Sequence, residues 1–292
     1  AWVDEALGLE YFLQAARAGD PSAMYFVAHT AIAALDASGA LDDSGGIGGS
    51  GGDAGSIESG EGQGRPADHH LAAISGPEAV RLLERASGDL GHGGAAYYLG
   101  LLARAGHPGL GVEALGKPNL EEFRRLLLLA AELGDPDALF CLADCLFRGG
   151  DGFAPDPARA VACWERAARF GGHADAMCCL GTAHYRGLAG LEVNHEAAFH
   201  WYMKATEATE LEGPSLHRFG ADTPETSAAA ANAPVEGGGP NSGTSRSATG
   251  LAGSAAAHRE AWSNLASMYA LGHGVPKSLD TAKHILRFLD SL

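Results

Sequence analysis

The sequence predicts an all-α fold, a solenoid of helical hairpins broken by two long disordered insertions. Three observations predict it. Apolar residues recur at the same helical offsets behind six separate Ser, Asp or Asn residues. That pattern returns at a fixed interval: Asn119, Asp156 and Asn194 stand 37 and 38 residues apart, room for two helices and two short loops. The 42 glycines cluster in two aperiodic stretches, so the folded part is shorter than the 292 residues suggest.

Taken in order, Asp4 is read as an N-cap followed by Leu9, Tyr11, Phe12, Ala15 and Ala16, with Gly19 closing the helix. Ser75 precedes Ala79, Val80, Leu82, Leu83 and Ala86, and Asn119 precedes Phe123, Leu126, Leu127, Ala130 and Ala131. Asp156 leads Ala160, Val161, Cys163, Trp164, Ala167 and Ala168. Asn194 leads Ala198, Phe199, Trp201 and Tyr202, and Ser278 leads Ala282, Ile285, Leu286 and Leu289. Side chains of these leading types accept hydrogen bonds from the free N–H groups of a first turn. The offsets give each helix one apolar stripe. We term these the B helices.

A second pattern marks the A helices between them. An Ala is followed four residues on by an aliphatic residue and then by Gly or Ala: Ala23/Val27/Ala28, Ala95/Leu99/Gly100, Ala138/Leu142/Ala143, Ala176/Leu180/Gly181 and Ala261/Leu265/Ala266. Small residues at that spacing let helix backbones approach closely. In the last four copies Gly106, Gly149, Gly187 or Gly272 supplies a stop, where the first copy has Ala34. A single hairpin cannot bury its own stripe, but stacked neighbours can.

This gives a division into N-terminal repeat helices over 1–36, starting mid-repeat, an insertion over 37–74, repeats over 75–211, a second insertion over 212–257 and a C-terminal repeat over 258–292. The insertions are Gly/Ser/Asp-rich without periodicity and bury too little apolar surface to offset ordering entropy. Ala1 opens inside a helical pattern, so the chain reads as a segment of something longer.

A formal net charge of −16 argues against phosphate-backbone binding and suits a basic partner or simple solubility. No apolar run approaches a membrane span. The five cysteines are odd in number and lie within helices, which favours a reducing compartment, the cytoplasm, over a disulfide framework. Cys141, Cys145 and the Cys178–Cys179 pair could in principle bring three thiolates to a zinc ion. Yet Cys145 falls where Leu102 and Met268 fall in other copies, and Cys163 where Trp201 and Leu126 fall. Residues that exchange with Leu, Met and Trp read as core fillers, so no metal and no cofactor is expected.

No active site is legible either. His69–His70 could bind a metal weakly but reads more readily as a solvated pair, and His184, His195, His200 and His284 have bland solvent or packing readings. No Gly-x-Ser-x-Gly occurs, and the Gly-rich runs at 45–52 and 237–239 lack the strand, helix and Lys of a phosphate loop. The Glu121–Glu122 pair sits in a first helical turn, where carboxylates suit the helix dipole.

The two patterns together resemble the Sel1-like repeat, a relative of the tetratricopeptide repeat. The resemblance is carried by Gly150-Asp151-Gly152-Phe153-Ala154-Pro155-Asp156 with Arg159-Ala160, and by Gly272-His273-Gly274-Val275-Pro276-Lys277. Ser278 replaces the usual Asp, Phe123 the usual Ala, and four extra residues lie between Val112 and Asn119. It implies a non-catalytic scaffold or adaptor for protein–protein interaction. A narrower resemblance, in Glu10 to Met24 and around Ala198-Phe199-His200-Trp201-Tyr202, is to the C-terminal repeat region of eukaryotic elongation factor 2 kinase. It implies the alternative of a substrate-docking region whose catalysis belongs to an α-kinase domain elsewhere. Some relatives serve quality control in a membrane-bounded lumen; the cysteines and the absent span speak against that role here.

What remains is surface. In hairpin solenoids the A helices line the concave side, and the third position after each leading Ala forms a ladder: Phe26, Tyr98, Cys141, Cys179 and Asn264. A protein or peptide partner, extended or helical, would be read there, with Tyr98 and Asn264 foremost. The same ladder could instead pack on the B helix of its own hairpin. Tyr98→Ala is expected to weaken partner binding while leaving the melt nearly unmoved.

Overall fold

The computed structural model describes residues 2–37, 74–208 and 250–291. The interiors of both expected insertions lie outside the described residues, as do the His69–His70 pair and the two Gly-rich runs. The helices are α1 (Trp2–Ala18), α2 (Pro21–Ala37), α3 (Gly76–Gly88), α4 (Gly93–Ala105), α5 (Leu120–Glu132), α6 (Pro136–Arg148), α7 (Pro157–Gly171), α8 (Ala174–Arg186), α9 (His195–Ala208), α10 (Gly250–Leu271) and α11 (Leu279–Ser291). Two short 3₁₀ turns, Pro108–Leu110 and Glu113–Leu115, join α4 to α5. No strand occurs among the described residues. Helix α10 starts at Gly250, eight residues before the expected C-terminal repeat.

The chain divides into two compact units, Ala1–Cys145 with Gly149–Pro155, and Leu146–Arg148 with Asp156–Leu292. In the first, α1 packs on α2, α2 on α3, α3 on α4 and α4 on α5. In the second the order is α7 on α8, α8 on α9, α9 on α10 and α10 on α11. Within each unit the most extensive packing joins an A helix to the B helix that follows it, α4 with α5 and α8 with α9. The hairpin is therefore the unit of construction.

The B-helix offsets land in the core. Phe123, Leu126, Leu127, Ala130 and Ala131 are all buried, as are all six apolar positions named behind Asp156. The large side chains left exposed lie at edges: Leu286 is 49 % exposed, Phe12 42 % and Tyr11 63 %. Phe12 still finds a partner, its ring stacked 4.2 Å from that of Phe26 on α2.

The caps differ from expectation at two positions. Helix α1 begins at Trp2, so Asp4 lies within the helix instead of capping it. Ser75 occupies the N-cap position of α3 but its hydroxyl makes no cap bond; its carbonyl receives the Glu78 and Ala79 N–H groups. Asn119, Asp156, Asn194 and Ser278 each accept from the backbone N–H three residues on, at 2.9–3.3 Å. The A helices have caps of their own, three residues before the leading Ala. Asp20 and Asp135 accept at 2.7 and 2.8 Å, and the imidazole Nδ1 atoms of His92 and His173 at 3.1 and 3.3 Å. His258 holds the same place in the last copy, but α10 runs through it and buries it.

The small positions work as the spacing implies. A Cβ added to Gly181 would lie 2.6 Å from the Tyr202 ring on α9, and one on Gly100 would touch Leu126 and Phe123 at 3.4 and 3.5 Å. The Tyr202 ring is buried and its hydroxyl is 3.0 Å from Thr182 Oγ1, so it has no free path aside. The extra residues before Asn119 are also built in. That stretch contains the second 3₁₀ turn, which buries Leu115; the first turn, just before it, buries Leu110, whose carbonyl lies so near Gly76 that a Cβ there would stand 2.6 Å away.

Candidate functional site

The ladder positions stay out of the core while their successors enter it. Val27, Leu99, Leu142, Leu180 and Leu265, each one residue further on, are 5 % exposed or less. Phe26 is exposed, and Tyr98, Cys141, Cys179 and Asn264 are half-buried. An α-helix rotates successive residues by about 100°, so a buried position leaves its neighbour at the edge of the apolar stripe. The structure brings Phe26, Tyr98 and Cys141 into the first unit and Cys179 and Asn264 into the second.

The first unit surrounds its ladder with rings that the sequence reading missed. Tyr25 stacks on His92 at 5.2 Å and meets Tyr98 edge-on at 6.3 Å, and His29 lies 4.7 Å from Tyr98. These contacts join α2 to α4, two neighbouring A helices. Tyr98 packs partly on the unit's core, and burial, then Tyr25 and Asp36, push its hydroxyl up to about 12. Its truncation therefore costs packing as well as any contact with a partner. The missed signal was the recurrence of Asp or His three residues before each leading Ala, which places His92 beside Tyr25.

Burial pushes the His29 and His92 imidazoles below their ordinary 6.5, at His92 against the opposing pull of Asp20. The unfolded chain takes up protons that these folded sites refuse. Their contribution to stability is whole above about pH 6.5 and falls as pH drops through the lowered folded values. His195 in the second unit shifts the same way, from burial and then from His273. The thermal midpoint should therefore drop between about pH 7.5 and about pH 6. His92→Asn, which keeps a cap acceptor but cannot titrate, should flatten that drop. A midpoint that holds steady or rises on acidification would contradict this account.

The cysteines divide by repeat position. Cys145, Cys163 and Cys178 are buried, and Cys141 and Cys179 are half-buried. Cys145 lies 3.8 Å from Asp151 Oδ2, whose carboxylate also meets Arg104 Nε at 3.4 Å. Hydrogen bonding to Cys141, then burial, raises the Cys145 thiol; Cys141 is drawn down by Cys145 and Tyr97 against its own burial. Cys163 is raised by burial. Among the described residues no group of three or more His, Cys, Asp or Glu is placed to hold a metal ion, and no helix is long and apolar enough to cross a membrane.

The second unit has its own ring cluster at the loop joining α10 to α11. The His195 and His273 imidazoles stack at 4.5 Å and 16°, and Tyr185 Oη stands 2.8 Å from His273 Nδ1. Gly274 brings this loop against the first turn of α9.

Helical hairpins stacked side by side, with small residues at their crossings and a half-exposed ladder on the A helices, define an all-α repeat protein of the hairpin-solenoid class. The Sel1 repeat model matches residues 3–20, 94–135, 136–169, 174–209 and 260–287, more than half of the chain, and the chain belongs to the Sel1 repeat family. Among solved structures it is similar to a Sel1 repeat protein from Oxalobacter formigenes. That match has 22 % identity and a TM-score of 0.49, and covers 74 % of this chain and 46 % of the other. It is also similar to c5321, a protective antigen present in uropathogenic Escherichia coli strains, which displays an SLR fold. There the identity is 18 % and the TM-score 0.33, over 98 % of this chain and 57 % of the other. The chain spans about half the length of these solved repeat proteins.

Proposed function

We propose that the chain is a non-catalytic protein-interaction scaffold that takes a segment of a partner protein along its A-helix ladder. The observation that carries this reading is the exposure of Phe26, 42 % open on a helix whose next two residues, Val27 and Ala28, are fully buried. An exposed aromatic in a fixed register on a rigid helix is the type of residue that anchors binding hot spots. Tyr98 and Cys141 hold the same register in the first unit, and Cys179 and Asn264 hold it in the second, each half-buried. The alternative, substrate docking for an enzyme such as an elongation factor 2 kinase-like α-kinase, would use this same surface and differ only in what else the parent protein carries.

Phe26 is a cleaner probe than Tyr98 because less of it is packed. Affinity capture with the wild-type chain and with Phe26→Ala should yield proteins retained by the first and lost by the second. The unfolding free energy should change by about 1–2 kcal/mol, the Phe12 ring stack together with the covered part of the Phe26 ring. Identical capture by both chains would remove the ladder from consideration.

A further inference from the structure

Carboxylates stand beside the rings of the first unit: Asp36 follows Tyr25 by eleven residues on α2, on the same helix face, and a Cβ on Gly94 would lie 3.2 Å from the His92 ring and 3.4 Å from Asp135 Oδ2, which sets Asp135 beside the imidazole stacked on Tyr25. Asp135 and Asp137, at the start of α6, bear on both Tyr25 and Tyr97, and Asp36, at the end of α2, bears on Tyr98. Each of these carboxylates adds to burial in disfavouring a tyrosinate, which puts negative charge at the margin of the rings. Asp36 and Asp137 are exposed, as is Phe26, and Tyr25 and Tyr98 are half-open to solvent. Aromatic faces with carboxylates at their margins match one side chain above others. A guanidinium is planar and weakly hydrated; it stacks on a ring and bridges to a carboxylate with paired N–H groups.

We infer that the A-helix face of the first unit docks an arginine-bearing segment of a partner protein, its guanidinium groups on the Phe26, Tyr25 and Tyr98 rings between Asp36, Asp135 and Asp137. This rests on the scaffold reading above and names the chemistry of its occupant. Neighbouring helices lie on the order of 10 Å apart. An extended chain covers that distance in about three residues, so arginines at every third position meet successive A helices.

The test uses the full chain and fluorescein-labelled nine-residue peptides: one with Arg at every third position among Gly and Ser, and its Lys and Glu counterparts. Anisotropy should show the Arg peptide binding most tightly, Lys more weakly and Glu not at all, with affinity falling as salt rises. Asp36→Asn with Asp137→Asn should weaken the Arg peptide by about tenfold, the scale of one charge-assisted contact. Glu78→Gln with Glu84→Gln removes as much charge from α3 and should leave binding unchanged. Equal weakening by both pairs, or preference for the Lys peptide, would reduce the effect to general attraction by an acidic protein and overturn the inference. Random peptides selected on the wild-type chain and counter-selected on Phe26→Ala separate the two levels of the reading. Phe26-dependent binders that lack basic residues would sink the arginine inference alone. The absence of any Phe26-dependent binder would sink the ladder with it.

Discussion

Replacing Phe123 by alanine should lower the stability of the first unit by about 3–5 kcal/mol, the usual cost of emptying a buried phenylalanine site. Of the five equivalent B-helix positions, four hold the buried Ala79, Ala160, Ala198 and Ala282 and the fifth holds Gly8, so repeat-to-repeat comparison alone would rate the change harmless. The packing says otherwise. Phe123 is fully buried, its ring faces Gly100 across the α4–α5 crossing, and the Arg104 guanidinium lies 5.4 Å from the ring centroid. With glycine opposite, no side chain stands ready to fill the space. Denaturant titration should show the early loss of a first-unit transition. Gly100→Ala added to Phe123→Ala should recover roughly 1 kcal/mol, since alanine favours the helix and its methyl now has room. A loss below about 1 kcal/mol for Phe123→Ala would mean that α4 and α5 slide together, and that the repeats are far more plastic than interiors at crystal density allow.

The fold was legible because its determinants are local and periodic. A stripe such as Ala160, Val161, Cys163, Trp164, Ala167 and Ala168 has one low-energy fate, burial, and the recurrence of that stripe fixes what it packs against. The caps were legible where the leading residue had a carboxylate or amide within reach, as at Asn119 and Asp156. They were misread at Asp4, which the helix overruns, and at Ser75, whose hydroxyl makes no cap bond. The 3₁₀ turns before Asn119 escaped notice for another reason. Four extra residues look like slack in a repeat alignment, whereas Leu115 in that stretch is buried in the first unit's core together with Leu110 just before it.

The candidate site was legible only as a register. Counting three residues past each leading Ala finds Phe26, Tyr98, Cys141, Cys179 and Asn264, and all five keep solvent contact. Counting does not reveal that Tyr25, His29 and His92 crowd around Tyr98, because those contacts run between helices far apart in the chain. Nor does it reveal that Asp135 and Asp137 add to burial in raising the Tyr25 hydroxyl. Surface chemistry depends on which neighbours meet, and one-dimensional spacing encodes that only through the fold.

Gly274→Ala should loosen the last hairpin of the second unit by at least about 2 kcal/mol, from a left-handed backbone and steric overlap acting together. Gly274 sits at φ +70°, and a Cβ there would stand 2.5 Å from the His195 carbonyl oxygen and 2.9 Å from the Glu196 nitrogen. Both are backbone atoms of α9's first turn, so no rotamer can relieve the contact. The loop must withdraw, taking His273 out of its stack with His195 and away from the Tyr185 hydroxyl. Val275, which packs with Tyr202 and Ile285, withdraws with it. Amide exchange should quicken in α11 and in the second half of α10, while Leu126 to Ala131 in the first unit keep their protection. His273→Gln tests the ring contacts separately: it removes the imidazole stack but leaves the glycine approach intact, and should cost less than Gly274→Ala. If the Gly274→Ala substitution left the exchange of Ala282 to Leu289 unchanged, the last hairpin would be held by its helices alone. The Gly-x-Gly loop would then be a connector, not a clamp.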